Sequence, residues 1–292
     1  MKISELFAEV PFRVCRGDVH EIEHLEVSAV EFDSRNVKPG ALFVCIKGFE
    51  SDGHDYTQKA IEAGALALCV EHELADIEAP QLIVQDTRHA LALTAQRFFG
   101  DPSARMDVVG ITGTNGKTTT TYLLDSIMRH AGKKTGVIGT VATCIGDEQI
   151  QASRTTPESA ELQKLLAEMA DSHVEHVSME VSSHAIDLSR IDGVTFGAVA
   201  FTNLTQDHLD YHRSMENYLA AKKRLFTDFK VKARVIDINT DVGLRLASEL
   251  SADYDILTVG CAEEAGIRAK KIEPQPHGTY FTLDTPTGEA YV

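Results

Sequence analysis

Nearly continuous apolar runs alternate along this chain with longer stretches in which apolar residues return every third or fourth position. The runs fit buried strands, and the stretches fit helices with one face turned inward. In the first hundred residues Ala41 to Ile46, Ala65 to Val70 and Gln81 to Gln85 read as strands, while Tyr56 to Ala63 and Arg88 to Phe99 read as helices. Gly100, Asp101 and Pro102 stop the second helix and start a linker. This places a domain boundary there, with residues 1–101 as a small α/β domain and residues 102–292 as a second. The alternation continues with a strand from Asp107 to Ile111 and a helix from Thr118 to His130, with Leu123, Leu124, Ile127 and Met128 on one side. A strand from Thr135 to Thr140 follows, then a helix starting near Thr155, where Thr155 and Glu158 form a capping-box pattern and Pro157 suits a first turn. His176 to Val181 and Gly197 to Asn203 are further strands, and Met215 to Phe229 and Asp241 to Leu250 further helices. Strands alternating with helices predict a mostly parallel sheet flanked by helices, with ligands at the carboxyl ends of its strands. Tyr280 to Asp284, a turn at Thr285 to Gly288 and a strand that begins at Glu289 and stops at Val292 suggest a hairpin in a shortened chain.

Composition narrows the partners. A length of 292 residues allows roughly two domains with their own cores. The net charge of −16 argues against a nucleic-acid binder, which needs Lys and Arg to neutralise phosphates. Cys15, Cys45, Cys69, Cys144 and Cys261 are scattered without a C-x-x-C pair and read as free thiols of a reducing compartment. The N-terminus has no apolar core of a signal peptide, and no run reaches the roughly 18 apolar residues of a membrane span. A cytoplasmic protein without a membrane partner is the expectation.

The chemistry concentrates in GITGTNGKTTT, Gly110 to Thr120, between a strand and a helix. Gly113 and Gly116 permit backbone angles and approaches that a Cβ would block, so successive N–H groups can converge on phosphate oxygens. Lys117 can reach the terminal phosphates, and the Thr118 hydroxyl suits a magnesium ion. The general phosphate-loop pattern requires glycine at 111; here stands Ile111, with Gly110 one place early. A TGTNGKT variant fits in full, and the plainer alternative is a Gly/Thr-rich turn without a ligand. Glu180, at a strand end, could bring a carboxylate to the magnesium, or be merely an exposed strand-end acid. In TNLTQDHLDYH, Thr202 to His212, the residues Asp207, His208, Asp210 and His212 offer ligands or proton carriers, or simply helix caps. His208 and His212 have the spacing of zinc ligands on a helix, but Leu209 stands where H-E-x-x-H needs glutamate. The basic run Lys222-Lys223-Arg224 would ordinarily be a solvated face.

Together TGTNGKT, RTTP (Arg154 to Pro157), MEVSSHA (Met179 to Ala185), TNLTQDHLDYH and AAK-x-x-LF (Ala220 to Phe226), with FDSR (Phe32 to Arg35) and SDGHDY (Ser51 to Tyr56), resemble the Mur ligase family, ATP-dependent amide-forming enzymes of peptidoglycan synthesis. The resemblance implies a small N-terminal UDP-substrate domain, a P-loop-type central domain, and a Rossmann-like third domain that this chain lacks. It implies ATP on Gly113, Thr114, Asn115, Gly116, Lys117, Thr118 and Thr119, and catalytic roles for Lys117, Glu180, His208 and Lys222. Magnesium would be shared among Thr118, Glu180, His208 and Lys222. A lysine ammonium has no acceptor, and the family resolves this by carbamylation, which makes Lys222 an N6-carboxylysine. UDP-sugar contacts would fall on Ser34, Thr155, Thr156, Ser182 and Arg190; Leu188 stands where some relatives carry a polar residue. The DHLDYH and SSHA forms resemble the members that add the third amino acid to UDP-N-acetylmuramoyl-L-alanyl-D-glutamate through an acyl phosphate. The amino acid is meso-diaminopimelate more commonly than L-lysine, and the family acts as monomers. Two other readings stay open: a fragment that holds nucleotide or UDP-sugar without turnover, and an unrelated P-loop phosphotransferase.

Overall fold

The computed structural model describes residues 1–152 and 154–292, which form two compact units. The first unit comprises Met1–Arg105, Pro157–His173 and Asp187–Val194. Its sheet runs in the order Arg13–Cys15, Gln81–Ile83, Ala65–Val70, Ala41–Val44, Ala29–Glu31. Only the pairing of Arg13–Cys15 with Gln81–Ile83 is antiparallel. Every residue of Ala41–Val44 is buried, as its unbroken apolar run requires of a strand covered on both faces. The helix Thr87–Phe98 starts at Asp86, whose carboxylate accepts the N–H groups of Arg88 and His89 at 2.8 and 3.1 Å. Leu91 and Ala95 of this helix join Ile3, Leu6, Leu42 and Leu82 in one core.

Residues 157–173 and 187–194, assigned by sequence to the second domain, pack with the first unit. The helix Ser159–Asp171 lies against Thr87–Phe98 and gives Ala160 to its core. That helix begins later than the spacing predicts. Glu158, extended at φ −65° and ψ 154°, is its N-cap, and the Glu158 N–H donates to the Glu161 carboxylate at 3.2 Å. Pro157 excludes the earlier start, because the residue before a proline, here Thr156, is driven out of helical angles. The capping pattern therefore shifts by three positions, and Thr155 and Thr156 remain outside the helix.

The second unit comprises Met106–Thr156, Val174–Ile186 and Thr195–Val292. Its sheet is parallel from Thr135–Ile138 through His176–Glu180, Asp107–Thr112, Phe196–Phe201, Val231–Asp237 and Ile256–Gly260 to Ile267–Gln275. Antiparallel hairpin strands, Thr143–Ile145 with Glu148–Ile150 and Gly278–Thr285 with Gly288–Tyr291, extend its two edges. Gly110 lies within the central strand, not in the loop: a Cβ there would stand 2.8 Å from the Phe196 ring. The early glycine thus serves packing. The helix Lys117–His130 corrects another expectation, since Leu123 and Ile127 are 61% and 63% exposed while Thr121 and Asp125 are buried. Helical spacing shows that residues share a face but not which face turns inward; here Thr121 Oγ1 donates to the Lys117 carbonyl at 2.8 Å and Asp125 pairs with Arg129 at 2.9 Å. Among the described residues no helix is long and apolar enough to cross a membrane.

Candidate nucleotide site

The strand Asp107–Thr112 delivers the loop, and the helix Lys117–His130 leaves it, from Gly116 at φ +83°. Gly113, at φ +147°, admits no side chain, because a Cβ would collide with Thr202 Oγ1 and stand 3.1 Å from the Asn203 backbone. The loop is held by the segment that follows the neighbouring strand. Thr114 N–H donates to the Asn203 carbonyl at 2.9 Å, and Asn115 N–H to Asn203 Oδ1 at 3.0 Å. Asn203 Nδ2 and Thr202 Oγ1 both donate to the Asn115 carbonyl, at 3.1 and 2.7 Å. Thr205 N–H and Thr114 Oγ1 complete the latch at 3.0 Å, and Asn115 Nδ2 reaches Thr205 Oγ1 at 3.1 Å. The front half of TNLTQDHLDYH is therefore the brace of the phosphate loop. Spacing had directed attention to the acids and histidines of its rear half.

Two lysines converge on one carbonyl. Lys117 Nζ donates to Gly113 O at 2.9 Å and Thr114 O at 2.8 Å, and Lys222 Nζ donates to Gly113 O at 2.9 Å. Lys222 is buried, with Nζ 4.4 Å from the centre of the Tyr218 ring. Burial, and then the Lys117 charge, push its ammonium down to about 7. Burial also lowers the Lys117 ammonium, against the raising influence of Glu180 and Asp207. Far from lying on a solvated face, Lys222 is directed at the loop because its helix, Met215–Thr227, buries Tyr218, Leu219, Ala221, Lys222, Leu225 and Phe226 together.

Glu180 is 1% exposed, and among the described residues its hydrogen-bond donors are uncharged. Thr118 Oγ1 donates to its Oε1 at 2.9 Å, Thr140 N–H to Oε1 at 2.8 Å, and Thr140 Oγ1 to Oε2 at 3.2 Å. Gly139 makes room for it, since a Cβ there would collide with Oε1. A buried carboxylate beside a hydroxyl is a hard oxygen set, and magnesium characteristically takes one or two carboxylates and completes its shell with phosphates and water. Thr118 and Glu180 fit that ion. His208 stands beside Tyr218, the ring that also faces Lys222: its own ring lies 6.1 Å from Tyr218 and 5.0 Å from His184, and Nε2 lies 3.4 Å from Asp207. His212 is buried, its Nε2 bonded to Ser183 Oγ at 2.8 Å. Among the described residues no group of three His, Cys, Asp or Glu side chains forms a metal cage, so the zinc alternative gains no site.

Of the residues expected at the UDP-sugar, Thr156 Oγ1 donates to the Glu180 carbonyl at 2.9 Å and accepts from the Ser182 N–H at 3.3 Å. Thr155 Oγ1 lies 3.0 Å from Thr140 Oγ1. These three share the second unit with the loop; Ser34, which is buried, and Arg190 belong to the first. Thr140, Thr202, Asn203, Thr205 and Tyr218 escaped the sequence reading as site residues, although the TNLT letters carried a signal in their run of short polar side chains directly after a strand.

Known proteins resolve what kind of loop this is. Residues 111–292 match the Mur ligase middle domain, and residues 26–99 match the Mur ligase family, catalytic domain. The chain belongs to the Mur ligase family. This Mur ligase chain is 43% identical over 293 residues to a UDP-N-acetylmuramoyl-L-alanyl-D-glutamate–2,6-diaminopimelate ligase of Bacillus velezensis, covering 99% of the chain and 59% of the relative. It is 44% identical over 277 residues to the protein of that name in Bacillus licheniformis, covering 92% of the chain and 56% of the relative. The chain thus spans somewhat over half the length of these relatives. A solved structure of a ligase of the same name superposes with a TM-score of 0.84 at 24% identity, covering 100% of this chain and 59% of the other. MurF from Acinetobacter baumannii gives 0.70 at 22%, covering 100% and 60%. The α/β Mur ligase fold expected from sequence is thereby borne out.

Proposed function

We propose that the chain carries the ATP site and UDP-substrate contacts of a ligase that joins meso-diaminopimelate to UDP-N-acetylmuramoyl-L-alanyl-D-glutamate in the cytoplasm, acting as a monomer. The convergence of Lys117 and Lys222 on Gly113 O, beside the Thr118–Glu180 pair, carries the reading. Lys117 occupies a position from which it can turn to an incoming polyphosphate, exchanging its carbonyl partners for phosphate oxygens. The substrate carboxylate attacks the γ-phosphorus, the bond to ADP breaks, and an acyl phosphate forms. The amine then attacks the acyl carbon, phosphate leaves, and the amine gives up a proton. A carboxylate approaching a triphosphate is repelled, and Lys117 offsets that charge. Thr118 and Glu180 would hold magnesium, which supplies further neutralisation of the phosphates. The second unit supplies the ATP contacts, and Ser34 and Arg190 of the first belong to the UDP-linked substrate.

Lys222 is read as the carbamylated lysine. It is buried beside a second cation, donates to a carbonyl, and has its ammonium pushed down to about 7, so a neutral amine is available to carbon dioxide near neutrality. The new N–C bond releases a proton and replaces a repelled ammonium with an anion attracted to Lys117. His208, whose ring lies 6.1 Å from that of Tyr218, is read as a further ligand.

The test is phosphate release with ATP, magnesium, UDP-muramoyl dipeptide and either diaminopimelate or L-lysine. Stimulation requiring both the UDP-substrate and diaminopimelate is expected. A preference for L-lysine would change the amine; nucleotide binding without release would leave a binding module; release indifferent to the UDP-substrate would favour a phosphotransferase. Lys222→Arg should lose on the order of a hundredfold in rate, the scale of one lost charge-stabilising group. Full activity of Lys222→Arg in bicarbonate-free buffer would remove the carbamate.

A further inference from the structure

Glu158, which the sequence presents as a helix cap, is 6% exposed in its side chain and lies between two guanidiniums. Arg88 Nη1 donates to its Oε2 at 3.1 Å, and Arg190 Nη2 meets its Oε1 at 2.8 Å. Arg88 is fixed from behind, with Nη2 and Nε both donating to the Lys47 carbonyl at 2.8 and 3.2 Å. All belong to the first unit but come from separate stretches: the Lys47 loop, the start of Thr87–Phe98, the cap of Ser159–Asp171, and the 187–194 segment.

Anchoring the 187–194 segment would take only one arginine on one carboxylate. Burying a second guanidinium adds desolvation that a mere strut does not require. The second arginine has an electrostatic consequence. A lone glutamate would hold Arg190 in place but offset its charge and repel any anion that approached it. Arg88 on the opposite oxygen offsets Glu158 in turn, so Arg190 is oriented while its attraction for an anion survives.

We infer that Glu158 and Arg88 are positioning residues for Arg190, setting its guanidinium to receive an oxyanion of the UDP-linked substrate. The inference rests on the reading of Arg190 as a substrate contact. Two sources of that oxyanion, the diphosphate and the peptide carboxylates, share one recognition chemistry because a guanidinium fork matches either.

The experiment is direct binding of UDP-N-acetylmuramoyl-L-alanyl-D-glutamate, UDP alone and ATP to the full chain, with thermal unfolding of each variant alongside. Glu158→Gln keeps the size and one acceptor but loses the charge; it should weaken the UDP-substrate about tenfold, while ATP stays within about twofold. Arg88→Met should weaken it similarly by leaving Glu158 uncompensated, Arg88→Lys should recover part of the loss, and Arg88→Met with Glu158→Gln should be no worse than either alone. Equal weakening of UDP assigns the oxyanion to the diphosphate; weakening of the UDP-substrate alone assigns it to a carboxylate. Wild-type or tighter substrate binding by Glu158→Gln overturns the proposal and leaves a strut. Should Glu158→Gln fail to fold, the comparison of Arg88→Met with Arg88→Lys decides, unchanged affinity in both overturning it. Wild-type binding by Arg190→Ala would instead remove the underlying reading of Arg190.

Discussion

The glycine-rich loop of the second unit and the Arg88–Glu158–Arg190 junction of the first solve the same problem, holding a cation in place, by opposite means. At the loop, Thr202, Asn203 and Thr205 grip Thr114 and Asn115 through neutral hydrogen bonds, and the lysines end on carbonyl oxygens. At the junction, a carboxylate is spent on two guanidiniums. The neutral latch takes none of the Lys117 charge and does not titrate. The charged junction ties three distant stretches together, and its strength depends on every partner keeping its charge. A loop with the proposed task of binding a highly charged nucleotide gains from the first arrangement; segments far apart in the chain gain from the second, because longer-range charge attraction tolerates imperfect fit.

Breaking the close approach at the loop should have the largest effect. Gly113→Ala puts a methyl group into Thr202 and asks an alanine to adopt φ +147°, displacing the carbonyl on which both lysines rest. ATP affinity should fall by on the order of a hundredfold, the scale of losing one preorganised charge-stabilising group, with the circular dichroism of the fold retained. Unchanged ATP titration would mean that the loop remodels freely and the contrast with the junction is false. Asn203→Ala is gentler. It removes one acceptor and one donor from Asn115, where water can partly replace them, so a cost of about 1 kcal/mol and a loss in ATP affinity of roughly fivefold are expected. The deficit should be the same at pH 6 and pH 8.5, since neither group titrates; a pH-dependent deficit would show a charge hidden in the latch.

The same contrast explains what the sequence disclosed. The loop was legible because Gly113, Gly116, Lys117 and Thr118 are contiguous and each residue type has one plain role. Glu180 was legible because a parallel sheet puts the carboxyl ends of its strands on the edge that carries the loop, although only the structure shows its strand paired directly with Asp107–Thr112. Lys222 was legible only through the family resemblance, since a basic run gives no sign of facing inward until Tyr218 and Phe226 are seen to bury their helix face. The junction was not legible. Glu158 lies 70 residues from Arg88, and nothing in the chain marks that residues 157–173 return to the first unit. The Thr155–Glu158 pattern failed for a local reason, since Pro157 keeps Thr156 out of helical angles. Leu123 and Ile127 misled for a third reason, that periodicity fixes a face without fixing its direction.

The smallest expected effect tests the charged side of the comparison. His89 Nδ1 lies 2.6 Å from Asp192 Oδ2, an ion pair that joins the start of Thr87–Phe98 directly to the 187–194 segment. The Asp192 hydrogen bond raises the imidazole above its ordinary 6.5, against partial burial, which lowers it. A group whose pKa is raised by folding contributes stability that is complete below pH 6.5 and is lost as pH climbs through the raised value. Half of the His89 side chain is exposed, so solvent screens the pair and the contribution should be a few tenths of a kcal/mol, within the roughly 0–1 kcal/mol range of exposed pairs. His89→Gln retains a donor without the charge. Between pH 6 and pH 9 the melting temperature of the parent protein should therefore fall slightly relative to His89→Gln, with the gap narrowing as the imidazole discharges. A constant gap would mean that the neutral hydrogen bond alone holds the segment there, and would make the first unit's attachment resemble the latch at the loop rather than oppose it.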